Sequence, residues 1–256
     1  MTTLMRTEIR SVWSEAAGIE RVAYAIAAAL TVSGIAHFLV LVVSGGSWEG
    51  PLSFRKPTTF GVSFGLTLGT ITWVASYVRM SARTRGWLLG FFSAACVAEV
   101  ALVTFQAWRG VPSHYNLETL FDGVIARTLA VGGAVLVVVI AILTILALRS
   151  APDVAPSMRL AVRAGLLCLD AALGIGVAMI AKGLLLVFAG QQQLAYATGG
   201  ALKPEHAVTM HAVLVLPALA WLLTFTPLTE RRRGQVVWLG IAGYALAAVI
   251  VVLNLA

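Results

Sequence analysis

Residues 123–148 read GVIARTLAVGGAVLVVVIAILTILAL, an apolar run broken by a single charge, Arg127. A hydrocarbon core about 30 Å thick takes roughly 20 mostly apolar residues of helix, so this stretch is long enough to cross a membrane. Outward from it in both directions the same pattern recurs at about 22–44, 58–79, 87–108, 160–189, 206–227 and 235–255, each run bounded by charge, Gly or Pro. The expectation is an all-α fold: a bundle of seven transmembrane helices forming one domain over residues 22–256. Pro57 falls in the first turn of the second span, where its missing N–H costs nothing. Asp122 reads as the N-cap of the fourth.

Composition agrees. Of 256 residues, 59% are hydrophobic and 11% charged, with a mean hydropathy of +0.91. Soluble domains carry about a quarter charged residues, so a globular cytoplasmic enzyme and a disordered chain are both excluded. The basic residues are scattered along the chain, and no nucleic-acid partner is expected. The net charge of +7 is instead a matter of topology. Arg6, Arg10, Arg21, Arg79, Arg83, Arg85, Arg149, Arg159, Arg163 and Arg231–Arg233 fall on one side. Arg55, Lys56, Arg109, Arg127 and Lys203 fall on the other. By the positive-inside rule the N-terminus is cytoplasmic, the C-terminus is outside, and the chain belongs in the cell's inner membrane as a multi-pass protein. Tyr24, Tyr77, Trp87 and Trp238 then mark the inner interface, and Trp48, Trp108 and Tyr115 the outer.

Residues 1–21 hold several charges and no apolar core, so a cleavable signal peptide is not expected. Leu4, Ile9, Val12, Trp13, Ala16 and Ile19 recur at helical spacing, which reads as a cytoplasmic amphipathic segment on the membrane surface. Cys96 and Cys168 both fall within spans, against a disulfide or a Cys-based metal site. Gly61, Gly65 and Gly69 on the second span make a face that another helix can approach closely.

Ionisable residues inside a bilayer are expensive and mark function. His37, Glu99, Lys182 and His211 all lie roughly 8–13 Å below the outer surface at about 1.5 Å of rise per residue. Asp170 lies deeper. The outer loops add His114, Asn116, Glu205 and His206, whereas the inner loops are short and Arg-rich. A site, if formed, opens outward. His37, His114, His206 and His211 are the candidate ligands for a transition metal (Fe, Cu or Zn) or a haem, since imidazole suits all of these. Five residues of helix separate His206 from His211 by about 140°, a poor chelating pair. Glu99 is the candidate proton donor or acceptor. Arg109, Asn116, Arg127 and Lys182 are candidate substrate contacts. Each has a plain reading beside the functional one: the histidines as interhelical hydrogen bonds, Glu99 with Lys182 as a buried ion pair, the arginines as snorkelling interface residues.

Several motifs resemble a family of bacterial seven-span integral membrane proteins. They are Trp48-x-x-Pro51 with Arg55-Lys56-Pro57, Arg109-Gly110 with Ser113-His114-Tyr115-Asn116, and His206-x-x-x-x-His211 with Leu216-Pro217. The resemblance covers most of the chain and implies that the outer-face motifs form one constellation, but it carries no activity with it. Progestin-receptor-like and ceramidase hydrolases fit less well, because their H-x-x-x-H is one residue shorter. Microbial rhodopsins need a Lys in the seventh span that is missing here. The expected function is a metal- or haem-dependent membrane enzyme, redox rather than hydrolytic, acting on a lipid-soluble substrate such as a quinone or isoprenoid, with membrane lipid as its surroundings. The alternatives are a proton-coupled carrier or channel for a small solute, and a metal-free cyclase with Glu99 as its acid.

Overall fold

The computed structural model of the protein describes residues 16–149 and 151–255, and the expected amphipathic segment falls largely outside them. The described residues form eight helices: α1 (Gly18–Val43), α2 (Arg55–Ser76), α3 (Ala82–Trp108), α4 (Leu120–Leu148), α5 (Pro156–Phe188), the short α6 (Gln192–Thr198), α7 (Lys203–Leu223) and α8 (Glu230–Leu255). Six are long and apolar enough to cross a membrane: α1, α3, α4, α5, α7 and residues 230–253 of α8. Many of their large apolar side chains point outward, among them Val32, Val131, Leu185 and Leu239. Such a surface is stable only against lipid. This is a polytopic, all-helical membrane protein.

Helix α2 has the length to cross but falls short in apolarity. Its hydroxyl side chains contribute to this, and several of them are satisfied within the helix. Thr58, Thr59, Thr70 and Thr72 each donate to the carbonyl four residues earlier at 2.8–2.9 Å. Self-bonding of this kind removes the cost of an unpaired hydroxyl in apolar surroundings.

Close backbone approach joins the helices in pairs. Gly34 of α1 faces Gly61 of α2 so tightly that a Cβ at Gly61 would stand 2.6 Å from the Gly34 Cα. One at Gly65 would strike the Thr31 hydroxyl and come within 2.6 Å of the Ala27 carbonyl. Gly69, the third member of the stripe, has only the Ala27 Cβ at 3.7 Å. The second tight pair is α5 with α7, where a Cβ at Gly165 would lie 2.8 Å from the Val213 Cα. Around these seams a core built on Leu68, Ile71, Cys96, Ile140, Leu166 and Leu216 runs through the bundle.

At the arginine-rich end the side chains close helix C-termini. Arg163 donates to the carbonyls of Ala147, Leu148 and Arg149 at 2.8–3.1 Å. Arg233 reaches those of Thr224 and Thr226. Arg85 pairs with the buried Glu20 at 2.7 Å. These arginines satisfy orphan carbonyls as well as biasing charge.

The glycine stripe makes a paired prediction. Gly61→Ala is expected to cost about 1–3 kcal/mol through overpacking against backbone, visible as a lower melting temperature in mild detergent. Gly69→Ala is expected to leave the melting temperature unchanged, because its Cβ would make an ordinary van der Waals contact.

Candidate functional site

The loop between α3 and α4, residues 109–119, is pinned at three places. At its base the Arg109 guanidinium donates to Asp122 Oδ1 and Gln106 Oε1, both at 2.5 Å. Gln106 Nε2 donates to the same Asp122 oxygen at 2.9 Å. Arg109 also lies over the Phe121 ring, 4.8 Å from its centre. Thr119, not Asp122, is the N-cap of α4: its hydroxyl accepts from the Asp122 N–H at 3.0 Å and donates back to Oδ2 at 2.7 Å. Asp122 is thus the reciprocal third residue of the first turn, and it serves as the anionic hub of the clamp.

The middle of the loop is pinned by Tyr115. Its φ of 64° is left-handed, which throws the ring into a slot between Gly183 of α5 and Gly199 after α6. A Cβ at Gly199 would stand 2.5 Å from the ring, and one at Gly183 would collide with it outright. The hydroxyl donates to the Met179 carbonyl at 3.1 Å, and Gln192 Nε2 donates to the Tyr115 carbonyl at 2.5 Å. Tyr115 is therefore buried, not an interfacial belt residue. Asn116 supplies the third pin from inside the loop, donating to the Pro112 carbonyl at 3.3 Å and accepting from the Glu118 N–H at 3.2 Å.

What the pinned loop presents is a polar chain. Lys56, in the first turn of α2, donates to Ser113 Oγ at 3.4 Å, and Ser113 Oγ lies 3.0 Å from His114 Nδ1. An ammonium only donates, so the serine oxygen accepts from Lys56, and either Ser113 Oγ or His114 Nδ1 is the donor in the contact between those two residues. His114 is held neutral. Burial, and then the positive charges of Lys56 and Lys203, push its pKa from the usual value down to about 3. The ring packs against Phe60, centre to centre 5.7 Å. The Ser113 hydroxyl thus stands between a cation and a neutral imidazole.

The other expected residues lie elsewhere. His37 bonds through Nδ1 to the Ser33 carbonyl at 2.7 Å and accepts from Trp108 Nε1 at 3.1 Å. His206 bonds to the Ala172 carbonyl at 2.7 Å and His211 to the Ala207 carbonyl at 2.6 Å. Both therefore carry the proton on Nδ1. His211 lines a narrow crevice with Ser63, Thr67 and Thr70 of α2. Among the described residues no three His, Cys, Asp or Glu side chains gather as a metal-holding group. Glu99 is buried and faces α4, where Gly132 makes room for it: a Cβ there would stand 2.7 Å from Oε1. Lys182 is exposed on α5 and the two form no ion pair among the described residues. Arg127 is exposed and lies back along its own helix toward Gly123. Arg109 and Asn116 are engaged in holding the loop. Lys56 and Ser113 were outside the expected ligand set. The signal for them was the pair of motifs Arg55-Lys56-Pro57 and Ser113-His114, whose meeting takes the fold to see.

No family model, curated protein or solved structure matches this chain.

The neutral state of His114 sets a pH dependence. Its folded pKa is depressed, so below about pH 6.5 the unfolded chain takes up a proton that the native one refuses, and stability falls as pH drops through that range. The melting temperature of the wild type is expected to fall more steeply than that of His114→Gln between pH 7 and pH 4. Parallel curves would remove His114 from this role.

Proposed function

We propose that the protein is a seven-span enzyme of the inner membrane, with α2 as the remaining span, the N-terminus in the cytoplasm and the C-terminus outside. It acts from the outer face on a lipid-soluble substrate, and its chemistry is acyl transfer. The observation that carries this reading is the Lys56–Ser113–His114 chain, formed where the pinned loop meets the start of α2. In the reaction Ser113 Oγ attacks the carbonyl carbon of an ester while its proton passes to His114 Nδ1. The C–O bond to the leaving alcohol breaks, and that alcohol takes the proton from His114. Water then cleaves the acyl–serine by the same route in reverse. Lys56 steadies the hydroxyl and the charge that develops beside it.

The metal- or haem-dependent redox reading draws less support from this geometry, because His37, His114, His206 and His211 hold four separate sets of partners. Its remaining footing is a single axial ligand, the Nε2 of His206 or His211. A proton-coupled carrier is favoured by one feature, the hydroxyl-bearing face of α2 that meets His211 in the crevice. Membership of the resembled seven-span family is consistent with each of these.

An alkyl fluorophosphonate is expected to add to Ser113 in the detergent-purified protein, read by peptide mass spectrometry. Ser113→Ala should abolish the adduct, and His114→Gln should slow it by roughly 100-fold, the lower end of what a general base contributes. Labelling confined to other residues would end the acyl-transfer reading, and stoichiometric iron, copper or zinc in the same preparation would restore the redox one. For orientation, a membrane-impermeant maleimide added to intact cells is expected to modify Gln191→Cys and spare Ser81→Cys in a background lacking Cys96 and Cys168. The reverse pattern would invert the topology.

A further inference from the structure

We infer that the crevice between α2 and α7 is a binding site for the hydroxyl group of a membrane-soluble alcohol, held by His211 Nε2 and the side chains of Ser63 and Thr67. Ser63 lies about 10 Å along α2 from Lys56 at 1.5 Å of rise per residue, and neither this site nor the Lys56–Ser113–His114 chain depends on the other.

The hydroxyls of α2 point to it. That helix carries seven, at positions 58, 59, 63, 67, 70, 72 and 76. Five bond back to a carbonyl of the preceding turn: Thr58, Thr59, Thr70 and Thr72, and also Ser76, which donates to the Trp73 carbonyl at 2.6 Å. Among the described residues the Ser63 and Thr67 hydroxyls have no hydrogen-bond partner, and these two line the crevice that His211 of α7 faces. They stand one turn apart on the same side of the helix.

His211 is engaged on one edge only. Its Nδ1–H donates to the Ala207 carbonyl at 2.6 Å, so in the uncharged ring Nε2 is an acceptor. Among the described residues no donor reaches it. Three unpartnered polar groups from two helices thus meet in one cleft, midway along both, and α7 is among the apolar spans. Away from water an unpaired polar group is costly. The three do not satisfy one another, so what completes them comes from outside the chain.

Size and chemistry select the guest. The crevice has room for about one water-sized group, enough for a hydroxyl and too little for a head group of several heavy atoms. No acid lines it, which disfavours an ammonium. A hydroxyl both donates and accepts: its proton goes to Nε2, and its oxygen takes the proton of Ser63 or Thr67. An ether has no proton for the imidazole. The remaining walls include Leu66, exposed on the outer surface, and Leu214, so an apolar tail leaving the crevice lies against leucine and then against lipid.

The test uses the full-length protein in nanodiscs of phosphatidylcholine, a lipid without a free hydroxyl, and a long-chain alcohol with a diazirine near its hydroxyl. Adducts formed on illumination are located by peptide mass spectrometry. Saturable labelling of residues 63–70 and 210–214 is expected, with dodecanol competing about tenfold better than its methyl ether, the size of one hydrogen bond. His211→Phe and the double variant Ser63→Ala with Thr67→Val are each expected to lose about as much, while Ser113→Ala labels as the wild type does whether or not that serine is a nucleophile. Melting curves identify any variant that fails to fold, and the comparison of alcohol with ether needs none. Equal competition by the two, unchanged labelling in the folded variants, or adducts confined to other segments overturns the site. Stronger competition by dodecanoate overturns its chemistry, because it makes the ring a cation. Displacement by glycerol at equal concentration overturns the membrane-soluble guest in favour of a small polar solute.

Discussion

Helices already dissolved in hydrocarbon gain nothing from hiding apolar side chains in one another, so their association has to come from close contact and from polar groups that satisfy each other. The seams at Gly34–Gly61–Gly65 and at Gly165–Val213 provide that contact. Backbone against backbone, they fix α1 to α2 and α5 to α7 at distances no side chain could fill. The other helices lean on these two pairs. The outward surface can consequently be almost wholly apolar, as lipid requires, without weakening the bundle.

Against that frame the outer loop is a different kind of structure, held by polar and aromatic locks. The Arg109–Asp122–Gln106 clamp joins the end of α3 to the start of α4, and a buried carboxylate there is tolerable because it receives hydrogen bonds from an arginine, an amide and a hydroxyl. The Tyr115 ring carries the loop across to α5 and α6. With both ends and the middle fixed, Ser113 and His114 have little freedom left.

The long apolar runs were plain in the sequence because crossing a membrane is a matter of length and composition. Helix α2 was the borderline case, since Thr and Ser lower its apolarity while bonding inside the helix, a compensation that composition does not register. Gly61 and Gly65 were legible as a packing face from their spacing alone, although nothing in the sequence distinguished them from Gly69. The site was harder to read. Depth along each span suggested that His37, Glu99, Lys182 and His211 share a layer, but depth says nothing of azimuth, and these side chains turn toward different neighbours. Lys56 and Ser113 are 57 residues apart and meet only because Tyr115 swings the loop inward. Gly183 and Gly199 belong to no periodic pattern, so the slot they form had no signature.

The two glycine-seamed pairs have a mechanical meaning. Helix α2 belongs to one and α7 to the other, and these two helices touch each other only sparsely. The start of α2 therefore travels with the first pair and the start of α7 with the second. A rocking of one rigid pair against the other would shift the outer ends of α2 and α7 relative to each other while leaving each seam undisturbed. Distances inside a pair are set by backbone contact, whereas the distance across the pairs is set by side chains, Trp73 against Trp221 among them.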